Sequence, residues 1–168
     1  MRPRSLRPWL IGCLTLGTDQ LTKHLVVVSF TPGESLPLIP HVLHLTYVQN
    51  TGAAFGLLKG QQTLFIGLSL LVIGWMVWEL LTKPSLLVVP MWACSLILGG
   101  SVGNLLDRLR LGSVVDFIDL RVWPVFNVGD SAITVGVTLL LVQTFFASRR
   151  QETRDQRLET KDRIERHD

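Results

Sequence analysis

The stretch Val114 to Thr134, VVDFIDLRVWPVFNVGDSAIT, decides how this chain is read. It sets two carboxylates, Asp116 and Asp130, among apolar neighbours, and the second stands at the mouth of a long apolar run, Ser131 to Ala147. An ionised carboxylate removed from water is costly, so an acid in such a place has a partner, a proton or a task. The run that follows is close to the roughly 20 residues a helix needs to cross the hydrocarbon core of a bilayer.

Three more runs of that kind lie upstream: Trp9 to Val28, Leu64 to Leu81 and Leu86 to Leu106. With 48% hydrophobic residues over 168 positions and a mean hydropathy of +0.38, the chain is too apolar for an ordinary soluble domain. The expected fold is an all-α polytopic membrane protein with four transmembrane helices. The first run is interrupted by Thr18, Asp19, Gln20, Lys23 and His24, and polar residues within a span face other helices or a cavity. Between the runs, His41 to Asn50 (HVLHLTYVQN) and Ser113 to Val122 are rich in strand-forming residues and predict a small extracytoplasmic β-sheet.

The net charge of +3 does not signal nucleic acid, because the basic residues gather at the two ends rather than alternating with aromatics on one surface. Arg2, Arg4 and Arg7 precede the first run, Lys83 lies between the second and third, and seven more follow the fourth, so eleven of sixteen fall on one side. The positive-inside rule makes that side cytoplasmic, with both termini inside. Residues 1–148 form the membrane domain, and 149–168 a charged cytoplasmic tail with Glu159 and Arg163, and Asp162 and Arg166, at helical spacing. Cys13 and Cys94 have no partner at ligand spacing, so both are packing residues and no metal is expected.

Helical spacing groups the polar residues. Thr15, Asp19, Thr22 and Lys23 share a face of the first run, Ser101, Asn104 and Arg108 a face of the third, and Asp130, Thr134 and Thr138 a face of the fourth. These stripes converge on one outer polar site. Asp116 and Asp119 point to opposite faces of an extended segment, so Asp116 goes to the site and Asp119 to a solvated ion pair with Arg121. Asp130 alone would be a helix N-cap and Asp116 alone a loop acid paired with Arg108 or Arg110. Two such carboxyls close together tend to share one proton, and the pair can divide peptide hydrolysis between a base that takes a proton from water and an acid that polarises the carbonyl. Gly99 to Gly103 also satisfies the G-x-S-x-G pattern around Ser101, but that motif requires a strand-to-helix turn and a histidine base.

DQLTK (Asp19 to Lys23), NTGAAFG (Asn50 to Gly56), GGSVGNLLDRLRLGSVVDFID (Gly99 to Asp119) and FNVGDSAIT (Phe126 to Thr134) together resemble lipoprotein signal peptidase, or signal peptidase II, in order along the chain. The resemblance implies an intramembrane aspartic endopeptidase of the bacterial cytoplasmic (inner) membrane, active near its outer face. It would cut prolipoproteins before a diacylglyceryl-modified cysteine, in contact with membrane lipid and without a cofactor. It implies catalytic roles for Asp116 and Asp130, and substrate-binding or supporting roles for Asp19, Lys23, Asn50, Gly52, Asn104, Arg108 and Asn127. Phe55 and Phe117 are candidates for contact with signal peptide or lipid. Gly129 stands where the family commonly has Ala, which is expected to loosen the turn before Asp130. The alternative is a small proton or ion relay or transporter using Asp19, Lys23, Asp116 and Asp130.

Overall fold

A computed structural model describes residues 6–52, 60–82 and 88–165. In chain order the elements are α1 (Arg7–Ser29), β1 (Ser35–Ile39), β2 (Leu43–Asn50), α2 (Gln62–Thr82), α3 (Val88–Leu111), β3 (Val114–Asp119) and α4 (Val128–Glu165). Each apolar run becomes a helix. Three of them, α2, α3 and α4, are long and apolar enough to cross a membrane; α1 has the length, but polar residues such as Asp19, Gln20, Lys23 and His24 dilute its apolarity. The rest of the described architecture is a three-stranded antiparallel sheet ordered β1-β2-β3.

Local chemistry sets the helix ends. α3 runs past Leu106 to Leu111 because Asn104 and Asp107 are buried against protein, and Arg108 and Arg110 in its last turn suit the negative end of the helix dipole. Gly112, at φ 72°, stops it by donating its N–H to the Arg108 carbonyl at 3.1 Å. α4 begins at Val128, ahead of the expected Ser131. Asn127 Oδ1 accepts the Asp130 N–H at 2.8 Å, and Asp130 Oδ2 accepts the Asn127 N–H at 3.3 Å. This reciprocal cap corrects the sequence reading: Asn127 is the N-cap, and Asp130 is the third helical residue. The helix then continues to Glu165 without a break at position 149.

β2 and β3 pair as expected, with Val48 opposite Asp116 and Asn50 opposite Val114. β1 was not foreseen because Pro37 argues against a strand; it is an exposed edge strand, where a missing N–H is tolerated. Val26 of α1, Tyr47 of β2 and Val115 and Phe117 of β3 form the core that seats the sheet on the helices. Burying side chains of this size contributes about 1.5–3 kcal/mol each. Phe117 is therefore a core residue rather than a contact for substrate or lipid.

α3 is central, packing on α1, α2 and α4. Gly100 lies against the Gly129 carbonyl and Gly103 against the Asp19 carboxylate, so closely that a Cβ at either position would collide. Cys94 is buried beside Met76, Ile97 and Leu98, whereas Cys13 is exposed on α1 and is not the packing residue expected. Arg2, Arg4, Phe55, Lys83 and Arg166 lie outside the described residues, as do the Ala53 to Gly56 part of NTGAAFG and the side chains of Glu159, Asp162 and Arg163.

Candidate functional site

The C-terminal end of α3, the N-terminal end of α4, the end of β2 and the start of β3 enclose a cleft of about 660 Å³. Asn50, Gly52, Asn104, Arg108, Asp116 and Asp130 all line it. β3, buried along nearly all of its length, delivers Asp116, which is 1% exposed. The first turn of α4 delivers Asp130, where the helix dipole favours an anion.

Asparagines hold both carboxylates. Asn50 Nδ2 donates to Asp116 Oδ2 at 2.9 Å, and Asn127 Nδ2 donates to Asp116 Oδ1 at 2.7 Å. Asn104 Nδ2 donates to Asp130 Oδ1 at 2.7 Å. Asn127 thus touches both acids, one through its amide and the other through its backbone N–H. Asn50 is itself oriented by the Gly52 N–H, which reaches its Oδ1 at 3.0 Å. Burial pushes the Asp116 carboxyl up to about 7 and the nearby Asp130 charge adds to this; the donors Asn50 and Asn127 and the Lys23 charge oppose it.

Behind the cleft lies a second cluster with its own cation. Lys23 Nζ reaches Asp19 Oδ2 at 2.8 Å, Asp107 Oδ2 at 2.9 Å and Asn104 Oδ1 at 2.7 Å, matching the three donors of an ammonium group. Asp19 Oδ1 accepts the Gly129 N–H at 2.7 Å, and Asp107 Oδ2 accepts the Val115 N–H at 3.1 Å. Gln20 Nε2 joins the two acids, donating to Asp107 Oδ1 at 3.0 Å and Asp19 Oδ2 at 3.3 Å. The cluster therefore fixes the backbone one residue before each cleft carboxylate, at Val115 and at Gly129. Gly129 is not a loosened turn: its N–H is held, and an added Cβ would lie 3.0 Å from Asp19 Oδ1.

Of the residues expected from the sequence, Asn50, Gly52, Asn104, Arg108, Asp116 and Asp130 line the cleft, and Asp19, Lys23 and Asn127 lie directly behind it. Asp107 and Gln20 were missed; the available signal was that Asp107 lies one turn beyond Asn104 in an apolar segment, with Gly103 and Gly100 on the same face. Arg108 is half-buried with its guanidinium 5.1 Å from the centre of the Phe65 ring, and is not paired with Asp116. Asp119 does pair with Arg121, at 3.0 Å, but it is buried rather than solvated. Burial would raise its carboxyl; the Arg121 N–H, the Thr46 hydroxyl and the Arg121 guanidinium outweigh that and hold it below the usual range. Thr134 lines the cleft, while the exposed Thr138 bonds its own helix at the Thr134 carbonyl and takes no part. Ser101 lies inside α3 with no strand-to-helix turn, and the serine reading fails on that ground.

Comparison with known proteins agrees with this geometry. The sequence profile of the signal peptidase (SPase) II family matches residues 11–146. The lipoprotein signal peptidase of Moorella thermoacetica is 47% identical over 134 residues, which is 80% of this chain and 89% of that protein. That of Halothermothrix orenii is 43% identical over 135 residues, 80% and 92% of the two chains. A bacterial membrane enzyme solved by the in meso method at 2.3 Å resolution superposes with a TM-score of 0.79 at 32% identity, over 84% of this chain and 89% of the other. A second such enzyme, solved at 1.9 Å, gives 0.74 at 33% identity over 82% and 92%.

Proposed function

The chain belongs to the signal peptidase II family, and from that premise we propose that it is an aspartic endopeptidase that removes signal peptides from prolipoproteins. The observation that carries the reading is the convergence of Asp116 and Asp130 on one cleft, each held by neutral asparagine donors. We assign the shared proton to Asp116, whose carboxyl burial and the Asp130 charge raise to about 7 against the amide donors on both its oxygens. Asp130, at the N-terminal end of α4, is the base.

The chemistry then runs without a covalent intermediate. Asp130 takes a proton from water as the water oxygen bonds to the scissile carbonyl carbon, and Asp116 gives its proton to the carbonyl oxygen. In the resulting diol, Asp130 returns its proton to the amide nitrogen as the C–N bond breaks. Asp116 recovers a proton from the diol as the carboxylic acid product forms, so the pair ends as it began. Arg108, at the cleft wall, is placed to hold substrate carbonyls.

The substrate is a precursor bearing diacylglyceryl on the cysteine after the cut, with its lipid left in the bilayer. α1 is the fourth span. Its charges at Asp19 and Lys23 are neutralised inside the protein, while Leu10, Leu14, Leu21 and Leu25 face outward. On this reading both termini are cytoplasmic and the cleft opens at the outer face of the inner membrane, as the basic ends favour, with residues 149–165 continuing α4 into the cytoplasm. Family membership argues for hydrolysis rather than a proton or ion relay. Incubating the purified protein with a diacylglyceryl-modified prolipoprotein tests the reading: release of the signal peptide supports it, and an intact precursor refutes it.

A further inference from the structure

A second groove, also about 660 Å³, lies between α2 and α4 over the first half of α3. Pro90, Cys94 and Ile97 of α3 line it, with Trp75 and Met76 of α2 on one side and Val137 and Leu141 of α4 on the other. Spacing joins it to the cleft. On α4, Asp130 and Thr134 line the cleft and Val137, Leu141, Thr144 and Ser148 line the groove, all on one helical face. On α3 the groove residues share a face with Asn104 and Arg108 of the cleft. Gly100 meets Gly129 and Gly136 meets Ala93, so the two helices run antiparallel and their faces form one continuous lane. The hydroxyls of Thr134 and Thr144 bond the carbonyls of Asp130 and Leu140 within α4, so neither is left as a free polar group in the lane.

We propose that the apolar segment of the signal peptide lies in this lane as a helix, its N-terminal end in the groove and its cleavage site in the cleft. The proposal rests on the peptidase reading above. Length favours it: Asp130 and Ser148 stand about 27 Å apart along α4, and an apolar segment of roughly 7–15 residues spans about 10–22 Å as a helix, leaving a few extended residues to reach the acids. Hydrogen bonding favours a peptide over a lipid tail. Gln143 Oε1, at the groove, is buried with no donor among the described residues; a peptide brings N–H and ammonium donors, whereas an acyl chain brings none. Charge agrees as well, because Glu79 lines the groove where the basic start of a signal peptide would arrive.

Leu141 is 65% exposed, so a larger side chain there intrudes on the lane without disturbing the core. Cleavage of a diacylglyceryl-modified prolipoprotein is measured for wild type, Leu141→Trp, Val137→Trp and the control Leu71→Trp, which is equally exposed on α2 outside the groove. Leu141→Trp and Val137→Trp are expected to raise KM about tenfold with kcat within about twofold, and Leu71→Trp to change neither. A photoreactive benzophenone side chain at position 141, in protein carrying Asp116→Asn, is expected to attach to the signal peptide, and excess unlabelled precursor to suppress the adduct. If wild type cleaves but KM is unmoved, or the adducts are with lipid alone, the lane is refuted and the peptidase stands. If wild type does not cleave, both fall.

Discussion

Two pairs of acids sit in one bonded network and live in opposite circumstances. Asp19 and Asp107 share the ammonium of Lys23 at 2.8 and 2.9 Å, so their charges are met by a cation. Among the described residues, Asp116 and Asp130 receive direct hydrogen bonds only from neutral amides. The first pair is built as a framework around its cation; on the proposed reading the second cannot hold two charges cheaply and has a proton to exchange. Compensation, more than burial, separates the two pairs, and on the proposed reading it separates structural acids from reactive ones.

The sharpest way to break this contrast is to neutralise each pair in turn. Asp116→Asn and Asp130→Asn are each expected to reduce prolipoprotein cleavage by about 10³-fold or more, with folding retained. Retained cleavage in both folded variants would remove the dyad. Lys23→Ala should do the reverse kind of damage, because it strands two buried carboxylates and costs about 3–5 kcal/mol of stability. An unchanged thermal transition in detergent would show that the rear cluster is not compensated as described.

The pH profile sharpens the contrast further. The Asp116 carboxyl is raised to about 7, so its contribution to folding is fully present below the ordinary value near 3.8 and is lost as pH rises through about 7. Activity that needs its proton should fall over the same alkaline limb. Asn50→Ala removes a donor that favours the carboxylate, and should move that limb of kcat/KM upward. The smallest effect is expected at Gly129→Ala. A gain of up to about 1 kcal/mol in helix propensity is set against contacts of 3.0 and 3.1 Å to Asp19 and Asn127, so stability should change by no more than about 1 kcal/mol and cleavage persist.

Much of this was readable because helical spacing projects polar residues to one side. Asn104 and Arg108, or Asp19 and Lys23, announce a shared face before any neighbour is known. The role of Asn127 was legible in principle, since Asn-x-x-Asp before an apolar run is a capping signal, but attention to the acid drew the cap to the wrong residue. The Gln20, Asp107 and Lys23 contacts depend on how α1 crosses α3, which spacing within either helix does not contain. β1 escaped because Pro37 is forbidden in a central strand and harmless at an edge, and edge position is a property of the assembled sheet.

The contact between Gly100 and the Gly129 carbonyl bears on how this sequence can drift. Charged positions can often be exchanged in pairs over generations, since a lost partner can be restored elsewhere. A methyl group at position 100 has no such second-site remedy nearby, because what it meets is backbone. A residue with no side chain is thus as constrained as many that carry one, and a survey of random variants would find few replacements there.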